Sequence, residues 1–337
     1  MNSSDRIKKF LLDNLSFHQR DIIQTAISRF GISRQAVLRH MNALIEDKQV
    51  DAYGKTRDRF YELRPQVNFN KKFSLRNKFS PKVTTKEYCL NHLKSLPKNI
   101  RDICEFSCIA LLNNIIDHSQ ANNLYLKLYL TYEQLHLVIT DDGVGLFGHI
   151  KRELDLNTCQ IAAIEVSKGY ITTDPNNHSG DELNTVIHLF DKVAIDASGI
   201  SLSFVNDINE WKIDHSSQKK GTRIHLQIDP NSKRACGKIF QKLFTDIHNQ
   251  VRIPINLVKM PGDDIISTRS EAQIMLNNIR DFEEIEFDFR NIDLVGPAFA
   301  DELIRKTKLI NKAARIKWIN CNKTVNLLMS RAYSRKR

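Results

Sequence analysis

The stretch LVITDDGVGLF, residues 137–147, constrains this chain more than any other. An alternating segment, QLHLVIT, runs directly into two aspartates and then two glycines separated by one residue. That pattern predicts a half-buried strand ending in a tight backbone turn. The preceding NLYLKLYLTY alternates in the same way, so the two segments predict an antiparallel pair. Before them lies RDICEFSCIALLNNIIDHSQAN, where Ile103, Phe106, Ile109, Ala110, Leu112 and Ile116 recur at helical spacing. Asn114, Asp117 and His118 fall on the other side of that helix. Asp142-Gly143 reads either as a plain hairpin turn or as the floor of a nucleotide pocket.

The pair LLNNIIDHS and TDDGVG resembles the GHKL (Bergerat-type) ATPases, which include histidine kinases, gyrase, Hsp90 and anti-sigma-factor kinases. The resemblance implies ATP with Mg²⁺ as cofactor. It implies that Asn114 coordinates the Mg²⁺ bridging the phosphates, with His118 one turn on. Asp141 would accept from the adenine amino group, and Gly143 and Gly145 would let the chain pass close to the base. Downstream, KKGTRIHLQI resembles the late Gly-Thr strand of that family, placing Gly221 and Thr222 near the adenine. In TTDPNNHSGDELNTVIHLF, Gly180 matches one glycine of the phosphate lid, whereas Glu182 stands at the second. A carboxylate there repels phosphate. The family also carries a glutamate as general base four residues before the metal-binding Asn; that position is Ala110, and a methyl group takes no proton. The resemblance, with these departures, implies a fold that has lost hydrolysis and phosphotransfer. His118 and His178 read as helix and loop histidines rather than phosphoacceptors.

The first 65 residues have a different pattern. Segments 3–15 and 19–30 show helical spacing, Gly31-Ile32 breaks it, and Ser33 is positioned to cap a third helix, SRQAVLRHMNALIEDKQV. One face of that helix is apolar; the other presents Arg34, Gln35, Arg39 and His40. VDAYGKTRDRFYEL then predicts two short strands around a glycine turn carrying Lys55, Arg57 and Arg59. GISRQAVLRHMNALIEDKQV followed by YGKTRDRFYEL resembles the winged helix-turn-helix of bacterial transcription regulators. The resemblance implies double-stranded DNA as partner. The start of the third helix would reach base edges in the major groove, and the hairpin would meet phosphates. A solvated helix face and a dimerising head are the alternative.

Charge is distributed accordingly. Residues 1–82 carry 17 Lys/Arg against 8 Asp/Glu, a net +9; residues 83–230 carry 13 against 19, a net −6; residues 231–337 carry 20 against 12, a net +8. A basic head on an acidic middle is suited to a polyanion. Six scattered cysteines without a C-x-x-C pair predict reduced, buried thiols. No apolar run approaches the ~18 residues of a membrane span, and the N-terminus lacks a signal-peptide pattern, so a cytoplasmic location and no membrane partner are expected.

The tail alternates strand and helix patterns, predicting a small α/β layer. RSEAQIMLNNIRDFEEIEFDFRNIDLVGPAFADELI resembles the STAS-like domain of unknown function. Where STAS domains of anti-anti-sigma factors carry a phosphorylatable serine, this chain has Gly296-Pro297-Ala298 and no hydroxyl.

The expected architecture is therefore multidomain α+β. It comprises a winged helix over 1–65, a linker over 66–84, a GHKL-type α/β sandwich over 85–230 and a STAS-like α/β layer over 231–337. The expected function is a DNA-binding transcriptional regulator, acting as a homodimer, whose central and C-terminal parts sense or bind a protein partner. The alternatives are an ATP-dependent partner-switching serine or histidine kinase, and a protein-binding adaptor.

Overall fold

The computed structural model describes residues 3–15, 18–55, 58–76, 78–169, 181–246, 250–259, 265–277, 279 and 282–335. The N-terminal unit consists of α1 (Ser3–Asn14), α2 (Ile22–Phe30), α3 (Arg34–Glu46) and a hairpin of β1 (Val50–Tyr53) with β2 (Phe60–Leu63). Gly31 closes α2 in the left-handed region at φ +63°, which glycine adopts without strain. The Ser33 hydroxyl accepts the Ala36 N–H at 3.2 Å and starts α3. This unit has its own core, centred on Leu11, Leu15, Ile22, Val37, Met41 and Leu44.

The central unit runs through β3 (Val67–Ser74), α4 (Pro81–Tyr88), a 3₁₀ turn (Leu90–His92), α5 (Lys98–His118), β4 (Asn123–Leu130) and β5 (Leu135–Asp141). Then come α6 (Leu146–Glu153), α7 (Cys159–Ser167), α8 (Asp181–Leu189), β6 (Lys192–Ala197), β7 (Ile200–Val205), β8 (Glu210–His215) and β9 (Thr222–Ile228). Its seven strands form one antiparallel sheet in the order β3-β4-β5-β9-β6-β7-β8. Alternate residues of β4, β5 and β9 are buried, so one sheet face packs under the helices and the other does not.

The C-terminal unit contains α9 (Cys236–Asp246), β10 (Gln250–Pro254), a 3₁₀ turn (Ile255–Val258), α10 (Arg269–Met275), β11 (Glu284–Asp288), α11 (Pro297–Ile310), β12 (Arg315–Ile319) and α12 (Lys323–Ser334). Its three strands are parallel in the order β10-β11-β12, with α10 and α11 in the crossovers. One apolar core continues from the seven-stranded sheet into this layer. Polar contacts cross the boundary too: Asn256 donates to the Trp211 carbonyl at 2.7 Å, and Lys168 to that of Asn277 at 2.9 Å. The chain is thus a multidomain mixed α/β protein. Among the described residues no helix is long and apolar enough to cross a membrane.

Several expectations need correction. Residues 66–84 do not form a linker: β3 is an edge strand paired with β4 along its length, and α4 begins inside the span. Its inward-facing Lys71 lies over the Tyr88 ring at 3.8 Å, so a cation occupies an apolar position by resting on an aromatic face. Residues 85–96, ahead of Pro97, have the sequence pattern of a helix, but the helix begins at Pro81, where Ser80 caps it, and ends at Tyr88. Residues 234–251 have the spacing of one amphipathic helix, but they contain α9 and the start of β10. Ser270, placed by the sequence to cap the helix that carries Ala272 and Met275, is the second residue of α10; Thr268 caps it instead, through a reciprocal capping box with Glu271. Ile116, expected inward on α5, is 46 % exposed.

Candidate functional site

The glycine-rich turn lies where three elements converge: the end of β5, the start of β9 and the C-terminal end of α5. Asp141 ends β5 and is 3 % exposed. Its carboxylate accepts the Gly143 N–H at 2.8 Å and the Thr222 N–H at 3.2 Å. Burial raises the Asp141 pKa, and these two N–H groups oppose the rise. Asp142 has a structural task. It accepts the N–H groups of Asn122 and Asn123 at 2.9 and 2.8 Å and the Asn123 amide at 2.6 Å, which holds its pKa below the usual carboxylate range.

Glycine is required here by close approach. A Cβ on Gly143 would stand 2.1 Å from the Ser119 carbonyl oxygen at the end of α5. One on Gly221, at φ +69°, would stand 1.9 Å from that of Asp141. The Gly221 N–H donates to the Gly143 carbonyl at 2.9 Å, and the Leu146 N–H donates to the Thr222 hydroxyl at 2.9 Å. The turn is thereby stitched to β9 on one side and to α5 on the other.

A pocket of about 510 Å³, counting the part open to solvent, sits over this floor. Most of its wall is apolar: Leu111, Ile115, Ile139, Leu146, Leu183 and Ile224. Asn114, His118, Asp141, Gly145, His149 and Thr222 also line it. Gly143 stands behind Asp141, joined to it by the 2.8 Å bond. The Asn114 amide has no hydrogen-bond partner among the described residues. His118 and His149 have ring centroids 5.8 Å apart. Burial lowers the His149 pKa, against the opposing pull of Glu153. Asp141 is the single carboxylate among the lining residues, and no Lys or Arg joins them. Ala110, one turn before Asn114, is buried at 4 % exposure. Gly180 lies outside the described residues.

Sequence reasoning missed His149, Leu183 and Ser198. Ser198 accepts the Gly148 N–H at 3.1 Å and so fixes the start of α6. His149 had a signal: it lies four residues after Gly145, on the first turn of a helix opening at that glycine.

In the N-terminal unit, α3 buries Val37, Met41 and Leu44 and exposes Arg34, Gln35 and Arg39. Neither arginine has a carboxylate partner among the described residues. His40 is half-buried, its Nδ1 lying 3.4 Å from the Ser4 hydroxyl. Its pKa is lowered by burial, then by Lys8 and Arg39. Lys55 and Arg59 are exposed on the hairpin, with Arg59 over the Tyr61 ring at 5.4 Å. Arg57 lies outside the described residues. All six cysteines are free thiols; Cys89, Cys104 and Cys108 are buried together in the core. No group of three or more metal-ligating side chains forms a metal site among the described residues.

Comparison with known proteins identifies the C-terminal layer. Residues 271–326, from α10 into α12, match the STAS-like domain of unknown function (DUF4325). No curated protein matches the chain. The C-terminal part therefore carries a STAS-like domain, and Gly296 caps α11 ahead of Pro297, so no hydroxyl stands at the start of that helix.

Proposed function

We propose that the chain is a DNA-binding transcriptional regulator. Its head is a winged helix that reads double-stranded DNA. Its body is a degenerate GHKL-type domain, joined to the STAS-like domain, that senses a nucleotide or binds a protein partner. The observation that carries this reading is the division of α3: an apolar stripe buried in the head's own core, and an opposite face where Arg34, Gln35 and Arg39 stand in solvent without acidic partners. Guanidinium and amide groups on an exposed helix are the donors that read guanine and adenine edges in the major groove. Lys55 and Arg59 on the hairpin, with Arg57 between them in sequence, add phosphate contacts, and a homodimer would present two heads to paired half-sites.

In the body, the pocket residues suit a purine. Asp141 is held in place by two backbone N–H groups, Gly145 lines the pocket without a side chain, and the flanking walls are apolar. Asp141, Gly143, Gly145 and Thr222 would hold adenine, and Asn114 would offer its amide oxygen to Mg²⁺. Magnesium, when bound with ATP, neutralises phosphate charge. The kinase reading needs a proton-accepting carboxylate beside Asn114. Ala110 supplies none, and the Asp141 carboxylate is engaged at the opposite, adenine end. Nucleotide is thus a signal rather than a substrate.

The test is selection of bound duplexes from a random library with the full chain, followed by mobility shift, with and without ATP and Mg²⁺. A regulator enriches a defined sequence. Enrichment of none, together with steady release of phosphate from ATP, would favour the kinase instead.

A further inference from the structure

The seven-stranded sheet keeps helices on one face only, and the residues on its other face form a pattern that the proposed regulator does not use. Strand register sets Lys72 beside Tyr125, and Tyr129 beside His136. Lys127 lies between the two tyrosines along β4, and His225 stands opposite Val138 on β9. Tyr125 is 40 % exposed, Lys72 and Lys127 are exposed, and Lys72 Nζ lies 5.4 Å from the centre of the Tyr125 ring. Tyr129 and the two imidazoles are half-buried; Tyr129 meets His136 edge to face, and the His136 and His225 rings are tilted by 32°, with His136 Nδ1 and His225 Nε2 2.9 Å apart.

Charge on this face is one-sided. Among the described residues no carboxylate stands on it from β3, β4, β5 or β9. The carboxylates on the remaining strands have partners: Asp196 with Arg223 at 2.8 Å and Asp214 with Lys212 at 2.7 Å, while Glu210 accepts from Asn291. Lys72 and Lys127 have no acidic partner among the described residues. The carboxylate whose charge acts on Tyr129 is Glu62, on the hairpin of the N-terminal unit. Burial lowers the pKa of both histidines, His136 to about 4, so at neutral pH they are flat, uncharged rings rather than cations.

We propose that this open face of β3, β4, β5 and β9 binds single-stranded nucleic acid, with bases stacked on Tyr125 and Tyr129 and phosphates held by Lys72 and Lys127. The occupant is anionic because the only unpaired charge on the face is positive. It carries planar groups because the uncharged surface is aromatic. A duplex hides the faces of its bases and is entered through its grooves, whereas an unpaired strand offers them for stacking. Alternate residues of one strand are about 7 Å apart, which gives each tyrosine its own base with Lys127 between them. Sequence preference is weak, because stacking takes any base. This site is independent of the duplex contacts assigned to α3.

Fluorescence anisotropy of the full chain tests it, with fluorescein-labelled oligo(dT) and oligo(U) of about twelve nucleotides, a length within the usual range for such a face. A labelled duplex of the same length is the comparison. Tyr125→Ala and Lys127→Ala change exposed side chains, and thermal melting checks that the fold is kept. Each is expected to weaken single-strand binding by about fivefold or more, while Arg34→Ala/Arg39→Ala leaves it unchanged. Three outcomes overturn the proposal: no single-strand binding by the parent chain, loss through the head variant instead of the sheet variants, or loss of duplex binding alone through the sheet variants. The last would make the face part of the duplex-binding surface.

Discussion

Asp141 and Thr222 lie 81 residues apart in sequence, yet the carboxylate of the first accepts the backbone N–H of the second at 3.2 Å. The Thr222 hydroxyl passes the connection on, accepting the N–H of Leu146 at 2.9 Å. A ring of bonds thus joins the end of β5, the start of β9 and the start of α6 beneath the pocket. Asp141 is structural before it meets any ligand.

Asp141→Asn tests the structural role and the proposed adenine contact together. The amide keeps one oxygen but turns an NH₂ toward one of the two N–H donors, leaving a buried donor unpaired at about 1–3 kcal/mol. Urea unfolding should show a loss in that range. If the pocket takes nucleotide as proposed, ATP with Mg²⁺ should raise the melting temperature of the parent chain and leave that of the variant unchanged. A variant that is fully stable and still stabilised by nucleotide would remove Asp141 from both roles.

The glycines of the turn tolerate no side chain. Gly221→Ala and Gly143→Ala each drive a methyl into a backbone carbonyl, so each should cost more than about 2 kcal/mol in denaturant unfolding. Gly237→Ala is the control. It lies in α9 with nothing within 4 Å of the added carbon, and it should be neutral or stabilising. Equal effects at all three positions would mean that close approach is not what requires glycine.

Glu302 gives the C-terminal unit an acid-sensitive clasp. Arg305 donates two bonds to it at 2.8 Å and Gln273 one at 3.0 Å. The Arg305 bonds, then that of Gln273, hold its pKa down at about 2, from an ordinary 4.5. A carboxyl with a depressed folded pKa contributes stability above its unfolded pKa and loses it as pH falls toward the folded one. The contribution should be complete above about 4.5 and fade toward 2. Comparing Glu302→Gln with the parent from pH 6 downward should show a stability gap that narrows with acidification. A constant gap would deny the clasp.

Lys168 and Glu165 form a buried ion pair at 2.6 Å, with side chains 4 % and 1 % exposed, and Lys168 also reaches the Asn277 carbonyl of the C-terminal unit. Burial lowers the Lys168 pKa and the Glu165 carboxylate opposes the fall. Lys168→Met alone takes the Lys168 cation from beside the buried Glu165 carboxylate and should destabilise by about 3–5 kcal/mol, whereas the double change with Glu165→Leu should recover much of the loss. Equilibrium unfolding of the four combinations decides. Additive losses would show that the two side chains act separately.

Much of the local structure was legible because local chemistry decides it. Ser33 and Gly31 mark the start of α3 and the end of α2 through capping and a left-handed φ. The alternation of β4 and β5 shows at once which residues face the core. Tertiary contacts hid the rest. β3 looked like a linker because Lys71 breaks its apolar face, and the ring of Tyr88 that accommodates it is distant in sequence. The first two residues of β10, Gln250 and Val251, continue an amphipathic helical pattern in the sequence, and the parallel pairing of this strand with β11 leaves no local trace. In the pocket, Asn114, Asp141, Gly145 and Thr222 came together from their motifs, whereas Leu183 reached the wall through helix packing that no motif encodes.

The most direct measurement is the salt-dependent affinity of the full chain for a library-selected duplex. Arg34→Ala/Arg39→Ala should weaken binding by about 1–3 kcal/mol per lost base contact and level the difference between the selected duplex and a scrambled one. Lys55→Ala should leave that discrimination intact and reduce the slope of log affinity against log salt by about one. Unchanged affinity, discrimination and slope in all of these variants would contradict the assignment of DNA reading to the N-terminal unit.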